Sequence, residues 1–519
     1  MHSYFNYLLL LIPSVDISGI AMENLCYFLA FFASILLIKH VLCRSKSLPP
    51  SPSSLPIIGH LHLVKQPLHR SLENLLKKHG PILYLQLGFR SALVLSSPSA
   101  VEECFTKNDI VVANRPPSLV ADHTTYDYTT FVFAPYGDLW RTLRRFTVAE
   151  ILSHNSLQKS SLIWAEEVRS ILRLVSKVSN RKAVNLHHFF MLLSFNINMR
   201  LAAGKKCVED EEACTDSGKQ YLLELKETFS PVRSMDLCEF FPALRLLGYR
   251  GLANTWIDLH RKRDKFLGDL VEEIRLKIKV SPSGIADRTV IESLLSLQKS
   301  QPKIYSDDII KGIIMVMFIA GTHTTALTLE WVMSLLLNHP EELKKVKAEI
   351  DTQAGYSRLL EESDLPKLPY LRCVVNETLR LYPAFPLLLP HCPSDDISVS
   401  GYKVEKDTIL MVNVWAMHRD PNVWEEPEIF KPERFKGFEG ERDGSKFIPF
   451  GMGRRACPGG AMAMHTIMLA LGSLIQCFDW GRVGEEMLDM DERDGLTLAR
   501  VRPLVAACTP RESMITLYS

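Results

Sequence analysis

The chain lacks an excess of either charge: 60 lysines and arginines against 59 acidic residues leave a formal net charge of +1. That balance excludes the broad basic face of a nucleic-acid-binding protein, so no nucleic-acid partner is expected. Internal repeats are absent, and the proline-rich and Gly/Ser-rich stretches are short, which excludes a repeat array. The 11 cysteines are odd in number and none stands in a CxxC pair. This argues against a disulfide framework and against structural zinc. Most of them are expected to be small buried hydrophobes. Long apolar runs are also scarce. Residues 4–13 are too few to cross a bilayer, which leaves 25–42, LCYFLAFFASILLIKHVL. What the chain does have is 519 residues, 47% of them hydrophobic, ample for one large core.

A bilayer core needs about 20 helical residues, with a lower limit near 17. The run 25–42 reaches that if Lys39 snorkels to the headgroups. Lys39, Arg44 and Lys46 follow it, and Asp16 and Glu23 precede it, so the body is expected on the cytosolic side. A cleaved signal peptide would need small residues after the apolar run, where Cys43, Arg44, Ser45 and Lys46 stand instead. The prolines of LPPSPSSLP, at 49, 50, 52 and 56, cannot continue a helix and suggest a stiff spacer. The expected division is an N-terminal extension at 1–24, a transmembrane signal-anchor at 25–42, a basic and proline-rich hinge at 43–60, and a catalytic domain at 61–519. Met1 and Met22 both remain candidate starts.

The body reads as mostly α with a small β subdomain near its N-terminal third. The segment 70–80 has helical periodicity and ends on a glycine. Residues 82–96 alternate like a hairpin around Gly88. Long helical patterns cover 137–152, 158–178, 256–280, 307–337 and 340–353, with short β signals at 397–411 and 495–515. Residues 207–220, rich in Glu, Asp and Lys, read as a surface loop.

The strongest chemical signal is FIPFGMGRRACPGGAMA, 447–463. A thiolate becomes a metal ligand only where its charge is stabilised. Gly451, Gly453 and Gly459 let the backbone turn tightly around the Cys457 sulfur. Pro458 ends the loop where a helix begins, and a helix N-terminus adds positive potential. Arg455, two residues before the cysteine, suits an anionic partner.

With Phe450, Gly453, Arg455, Cys457 and Gly459 in that spacing, the sequence resembles the cytochrome P450 family, and the resemblance extends over nearly the whole chain. It implies that Cys457 is the axial ligand of a haem b iron, with Arg455 on a haem propionate. NETLRLYP, 376–383, carries the family's Glu-x-x-Arg at Glu377 and Arg380, one helical turn apart. In the family this pair joins a downstream arginine, here Arg434, in a buried network that braces the haem loop. WRTLRR, 140–145, implies Trp140 and Arg144 near the propionates, and His391 stands where the family often adds another contact. FIAGTHTTALTLEW, 318–331, matches the oxygen-activating pattern at Ala320, Gly321, Thr324 and Thr325. Thr324 is the residue the family uses to hold iron-bound oxygen and proton-delivering water. His323 departs from the pattern, which usually has an acid there. An imidazole relays protons only near its reference pKa of about 6.5.

The anchor, the proline stretch and AGTHTTALTLEW are similar to the plant microsomal branch that oxidises isoflavonoids, lignans, terpenoids or alkaloids. The resemblance implies an endoplasmic-reticulum protein, single-pass, with the catalytic domain facing the cytosol. Its electrons would come from NADPH through the flavins of NADPH–cytochrome P450 reductase, and its substrate would be a small apolar molecule. The implied pocket residues are Tyr126, Phe131, Phe133, Phe318, Phe385, Leu388, Leu496 and Leu498. Hydroxylation and oxidative cyclisation both stay open, as does a haem-thiolate isomerase or dehydratase that needs neither oxygen nor reductase. A haem protein without catalysis stands third.

Overall fold

Ser306 turns the chain into a 32-residue helix, Asp307–Asn338, by accepting the Ile309 N–H at 3.3 Å on its hydroxyl. Asp307 and Asp308 in the first turn complement the positive end of the helix dipole. The helix is apolar on almost every face, the pattern of a helix surrounded by protein. The helices Leu186–Ala203, Ala253–Val280, Pro369–Leu381 and Gly460–Cys477 pack around it. The computed structural model describes residues 27, 30, 31, 34, 48–179, 183–231, 236–280, 288–438 and 444–519. The span expected at 25–42 and the extension at 1–24 lie outside the described residues, apart from the helical Tyr27, Ala30, Phe31 and Ser34. Two described helices, Asp307–Asn338 and Gly460–Cys477, are long and apolar enough to cross a membrane, but 67% of each such stretch is buried inside the protein. They are core helices.

The hairpin forms where the alternation placed it. Strands β1 (Ile82–Leu87) and β2 (Arg90–Leu95) pair antiparallel around Gly88, whose φ is +58°. A Cβ on Gly88 would lie 2.6 Å from the Phe240 carbonyl, so the turn admits only glycine there. The third strand of that sheet is Ile409–Val412, parallel to β2. This strand falls at the end of the β signal read at 397–411. A second sheet joins Ala183–Asn185, Val505–Pro510 and Phe478–Gly481.

Two expectations are corrected. The hinge read at 43–60 is already part of the body from Pro50 onward. The Tyr84 N–H donates to the Pro50 carbonyl at 2.9 Å, and the Gln86 N–H donates to His60 Nδ1 at 2.7 Å. The surface loop read at 207–220 stops at Thr215, whose hydroxyl accepts the Gly218 N–H and starts the helix Asp216–Thr228.

Glu377 and Arg380 are 0% exposed and meet in a two-pronged ion pair, 2.7 and 2.9 Å. Arg434 Nε and the Lys431 N–H both donate to Glu377 Oε1, at 3.0 and 2.9 Å. Arg380 Nη1 donates to the carbonyls of His418 and Pro427 at 2.6 and 2.7 Å. His418 Nε2 in turn accepts the Ile448 N–H at 3.2 Å, which ties the network to the loop ending at Cys457. Accepting there puts the imidazole proton on Nδ1, which is buried without a partner.

Burial and the nearby Arg380 and Arg419 hold the His418 pKa well below its ordinary value. The unfolded chain then binds a proton below about pH 6.5 that the folded chain refuses, so this stability is complete above pH 6.5 and declines as pH falls. His418→Gln keeps an acceptor but cannot titrate. It should flatten the fall in stability between about pH 6 and pH 5 by about 1.4 kcal/mol per pH unit, measured by urea unfolding. An unchanged slope would mean that His418 is protonated in the native protein.

Candidate active site

The loop before the last long helix is built by close backbone approach. Gly451 and Gly453 have φ of +74° and +73°. A Cβ on Gly453 would lie 2.5 Å from Asp109 Oδ1. Asp109 also accepts the Arg454 N–H and pairs with Arg454 Nε, each at 2.9 Å, so it cradles the turn from outside. The Cys457 N–H donates to the Phe450 carbonyl at 2.8 Å, and the Phe450 ring packs against the backbone of Gly460. Cys457 itself lines a mostly apolar cavity of about 540 Å³. Burial raises its thiol pKa, while the backbone at Gly459 and the Arg144 guanidinium oppose that shift. A soft cation on the sulfur would complete the stabilisation of a thiolate.

Three guanidinium groups converge on the cavity wall: Arg115, Arg144 and Arg455. Arg115 donates to the carbonyls of Leu389 and Pro390 at 2.7 and 2.8 Å, and Arg144 to that of Ala456 at 2.7 Å. Arg455 donates to Ala113 and Phe131 at 2.6 and 3.0 Å and to Ala134, and stacks 4.7 Å above the Trp140 ring. Among the described residues none of the three has a carboxylate partner. Burial, reinforced by Arg455, pushes Arg115 down to about 9, and burial with Arg144 pushes Arg455 to about 10. Three desolvated cations without an anion form a site for an anionic group, and the two propionates of a haem fit that chemistry. Arg115 was not singled out in the sequence.

Trp140 and His391 line the same cavity, but their donors are engaged elsewhere. The Trp140 indole N–H donates to the Phe131 carbonyl at 3.0 Å. His391 Nδ1 lies 2.9 Å from the Val112 carbonyl, so it carries the ring proton and leaves Nε2 as an acceptor. Burial and Arg115 hold the His391 pKa well below its ordinary value. His391 therefore presents Nε2, and not Nδ1, for any contact in the cavity.

On the central helix, Ala320, Gly321 and Thr324 face the cavity. Thr324 Oγ1 donates to the Ala320 carbonyl at 2.5 Å. Gly321 serves helix packing as well as access, since a Cβ there would lie 2.7 Å from Asn198 Oδ1 of the neighbouring helix. His323 does not line the cavity. Burial, then Lys226, pushes its pKa down to about 4, and its Nδ1 is buried without a partner. The imidazole is therefore neutral near pH 7 and cannot act as a proton-donating acid there.

Phe131, Phe133, Phe385, Leu388 and Leu496 all line the cavity. Tyr126, Phe318 and Leu498 do not. Tyr126 donates its hydroxyl to Asp264 at 2.9 Å. Phe318 is 1% exposed and packs among Phe195, Phe229 and Phe266. Leu498 is 1% exposed in the core beneath β1 and β2, where its carbonyl accepts the Trp331 indole N–H at 2.7 Å.

Residues 49–506 match the family model for cytochrome P450. A protein of Catharanthus roseus named cytochrome P450 81Q32 is 47% identical over 506 residues, 96% of this chain and 99% of the relative. Isoflavone 2'-hydroxylase of Glycyrrhiza echinata is 43% identical over 500 residues, covering 94% of this chain and 97% of the relative. A (+)-piperitol/(+)-sesamin synthase of Sesamum radiatum is 43% identical over 502 residues, 95% and 97% of the two chains.

If the three guanidiniums hold the propionates, Arg115→Gln removes about one charge-assisted bond, worth about 1.5–3 kcal/mol. Haem transfer to excess apomyoglobin should then run roughly ten- to a hundredfold faster than from wild type. A rate equal to wild type would release Arg115 from that role.

Proposed function

The chain belongs to the cytochrome P450 family, and from that premise we propose that it hydroxylates or oxidatively cyclises a mostly apolar, aromatic plant specialised metabolite. It is a monooxygenase of the plant class II type, and the family's cofactor is a haem whose iron takes a cysteine thiolate. The observation that carries the reading is the sulfur of Cys457 opening onto a 540 Å³ apolar cavity that Thr324 also lines. Relatives named for isoflavone hydroxylation and for piperitol and sesamin synthesis support an oxygenated aromatic substrate.

In this reading the Cys457 thiolate would hold the haem iron, and Arg115, Arg144 and Arg455 would hold the propionates. Bound there, the haem supplies the reductive activation of dioxygen that oxidises the substrate. The chain's own residues orient, exclude and protonate. Phe131, Phe133, Phe385, Leu388 and Leu496 give a flat apolar substrate walls to lie against and keep bulk water out. Ala320 and Gly321 keep the helix surface low where small reactants must fit. The Thr324 hydroxyl donates to the Ala320 carbonyl and keeps its lone pairs free to hold a proton-bearing donor. Electrons come from NADPH through a flavoprotein reductase.

The reading also places the protein on the endoplasmic-reticulum membrane, anchored through 25–42 with the body in the cytosol. A second contact supports it. Ile57, Ile58 and Phe89 are exposed apolar side chains on adjoining segments, and Leu246 and Leu247 are exposed a few residues beyond Phe241. The Gly88 N–H reaches the Ile58 carbonyl, the Phe89 N–H the Phe240 carbonyl, and Phe89 packs on Phe241. Together they make an apolar patch suited to the headgroup boundary.

Microsomes carrying the protein and a reductase, incubated with isoflavones and lignans, should give an oxygenated or ring-closed product only when NADPH and oxygen are present. The reduced protein with carbon monoxide should show the red-shifted band of thiolate-bound haem. Cys457→Ala should abolish both, and product formed without NADPH would instead favour an isomerase. Deletion of residues 1–46 should release most of the protein on carbonate washing, leaving the weaker attachment through the patch. Unchanged attachment would show that 25–42 is not the anchor.

A further inference from the structure

The cavity holds a further cation away from the thiolate loop. Arg263, on the helix Ala253–Val280, is 2% exposed and lines the cavity. Its Nε donates to the Thr228 carbonyl and its Nη2 to the Ser230 carbonyl, each at 2.7 Å. Among the described residues Nη1 has no hydrogen-bond partner, and no carboxylate lies within ion-pair distance of the guanidinium. The adjacent Asp264 is taken by Lys311 at 2.5 Å and by the Tyr126 hydroxyl at 2.9 Å. Burial lowers the Arg263 pKa only to about 10, so the group stays charged at neutral pH.

Thr130, also lining the cavity, is 2% exposed, and its Oγ1 is buried with no partner. It belongs to the same region. A Cβ on Gly312 would lie 3.2 Å from Thr130 Cγ2 and 3.8 Å from the Tyr126 ring, and the Tyr126 hydroxyl donates to Asp264, the helical neighbour of Arg263. An unpaired buried cation and an unpaired buried hydroxyl are each costly unless something completes them. The two carbonyl contacts are explained by capping of the helix Asp216–Thr228, where a cation suits the negative end of the dipole. That role leaves Nη1 and the Thr130 hydroxyl unexplained.

We infer that Arg263 and Thr130 form an anchoring end of the substrate cavity that takes an anionic or strongly polarised oxygen of the substrate, such as a phenolate, carboxylate or conjugated carbonyl. The inference rests on the monooxygenase reading and narrows it. The substrate is an otherwise apolar molecule with an acceptor oxygen remote from the oxidised position, and that oxygen fixes which position faces the iron. A guanidinium provides a directional fork for such an oxygen, and an apolar wall provides none. Arg263 and Thr130 are thus specificity residues that touch the substrate without taking part in its oxidation.

The test uses the haem-loaded full chain and a series of N-alkylimidazoles of graded chain length, ending either in a carboxylate or in a methyl group. The imidazole nitrogen shifts the haem absorption on binding, which gives a dissociation constant without turnover. At one chain length the carboxylate should bind about tenfold or more tighter than its methyl partner, the worth of one hydrogen bond to a charged group. That preference should vanish in Arg263→Gln, survive in Arg263→Lys and shrink severalfold in Thr130→Val. A wild type with no preference at any length, or a preference that survives Arg263→Gln, overturns the inference. If Arg263→Gln does not load haem, Thr130→Val decides, because it removes only an unpartnered hydroxyl. An unchanged preference there overturns the anchor. Absence of any spectral shift with every imidazole overturns the haem reading as well.

Discussion

Glu377 and Arg380 meet with no solvent on either, and a protein tolerates such an ion pair only when every remaining donor and acceptor is satisfied. Here they are satisfied by Arg434, the Lys431 N–H and three backbone carbonyls of the segment 418–429. Removing one member of such a pair costs about 3–5 kcal/mol, because it strands the other charge. Through the His418 carbonyl and ring the pair fixes the strand of chain that runs from Ile448 into the Cys457 turn. The position of the sulfur in the cavity therefore depends on a network several residues away that never touches the substrate space.

The cavity carries a second constraint, of sign. Its wall presents Arg115, Arg144 and Arg455 in one region and Arg263 in another, and none has a carboxylate partner among the described residues. Backbone carbonyls satisfy most of their donors without neutralising their charge. Desolvation alone would favour loss of those charges, yet guanidinium groups keep their protons at neutral pH. A pocket built this way is poor at holding a wholly apolar molecule and good at holding a flat apolar body with anionic groups at its edges. In the proposed reading haem would meet that description at the triad, and an oxygenated aromatic would meet it beside Arg263.

What the sequence made legible follows from what is local. The Cys457 turn, the Glu377–Arg380 pair and the β1–β2 hairpin are each encoded within about ten residues, as motif or alternation, and the long amphipathic helices by their period. Arg115, Asp109, His418 and Arg263 were not seen, because each is an isolated residue whose partners come from distant segments. The helix Leu186–Ala203 was missed for a different reason. It is buried on nearly every face, so it has no polar stripe for periodicity to detect. The misplaced pocket residues had a readable signal. Counting helical turns from Thr324 gives Ala320, Met317 and Thr328 on the cavity face, and all three line it. Phe318 and His323 are out of phase with that stripe, and the motif alone does not carry phase.

His323 shows what the departure from an acid has done. Lys226 donates to His187 Nε2 at 2.9 Å, and His187 Nδ1 donates to Glu330 at 2.9 Å. Glu330 also accepts the Leu504 N–H at 2.7 Å. Glu330 is seven residues beyond His323, two turns along the same face of the central helix. The cation at Lys226 is thus balanced through His187 by a carboxylate already present on that face. An acid at 323 would add a second negative charge, whereas a neutral imidazole adds none and its burial keeps it neutral. The polar contacts of this face run from Lys226 through His187 to Glu330, and they leave His323 beside them as a buried neutral imidazole near pH 7.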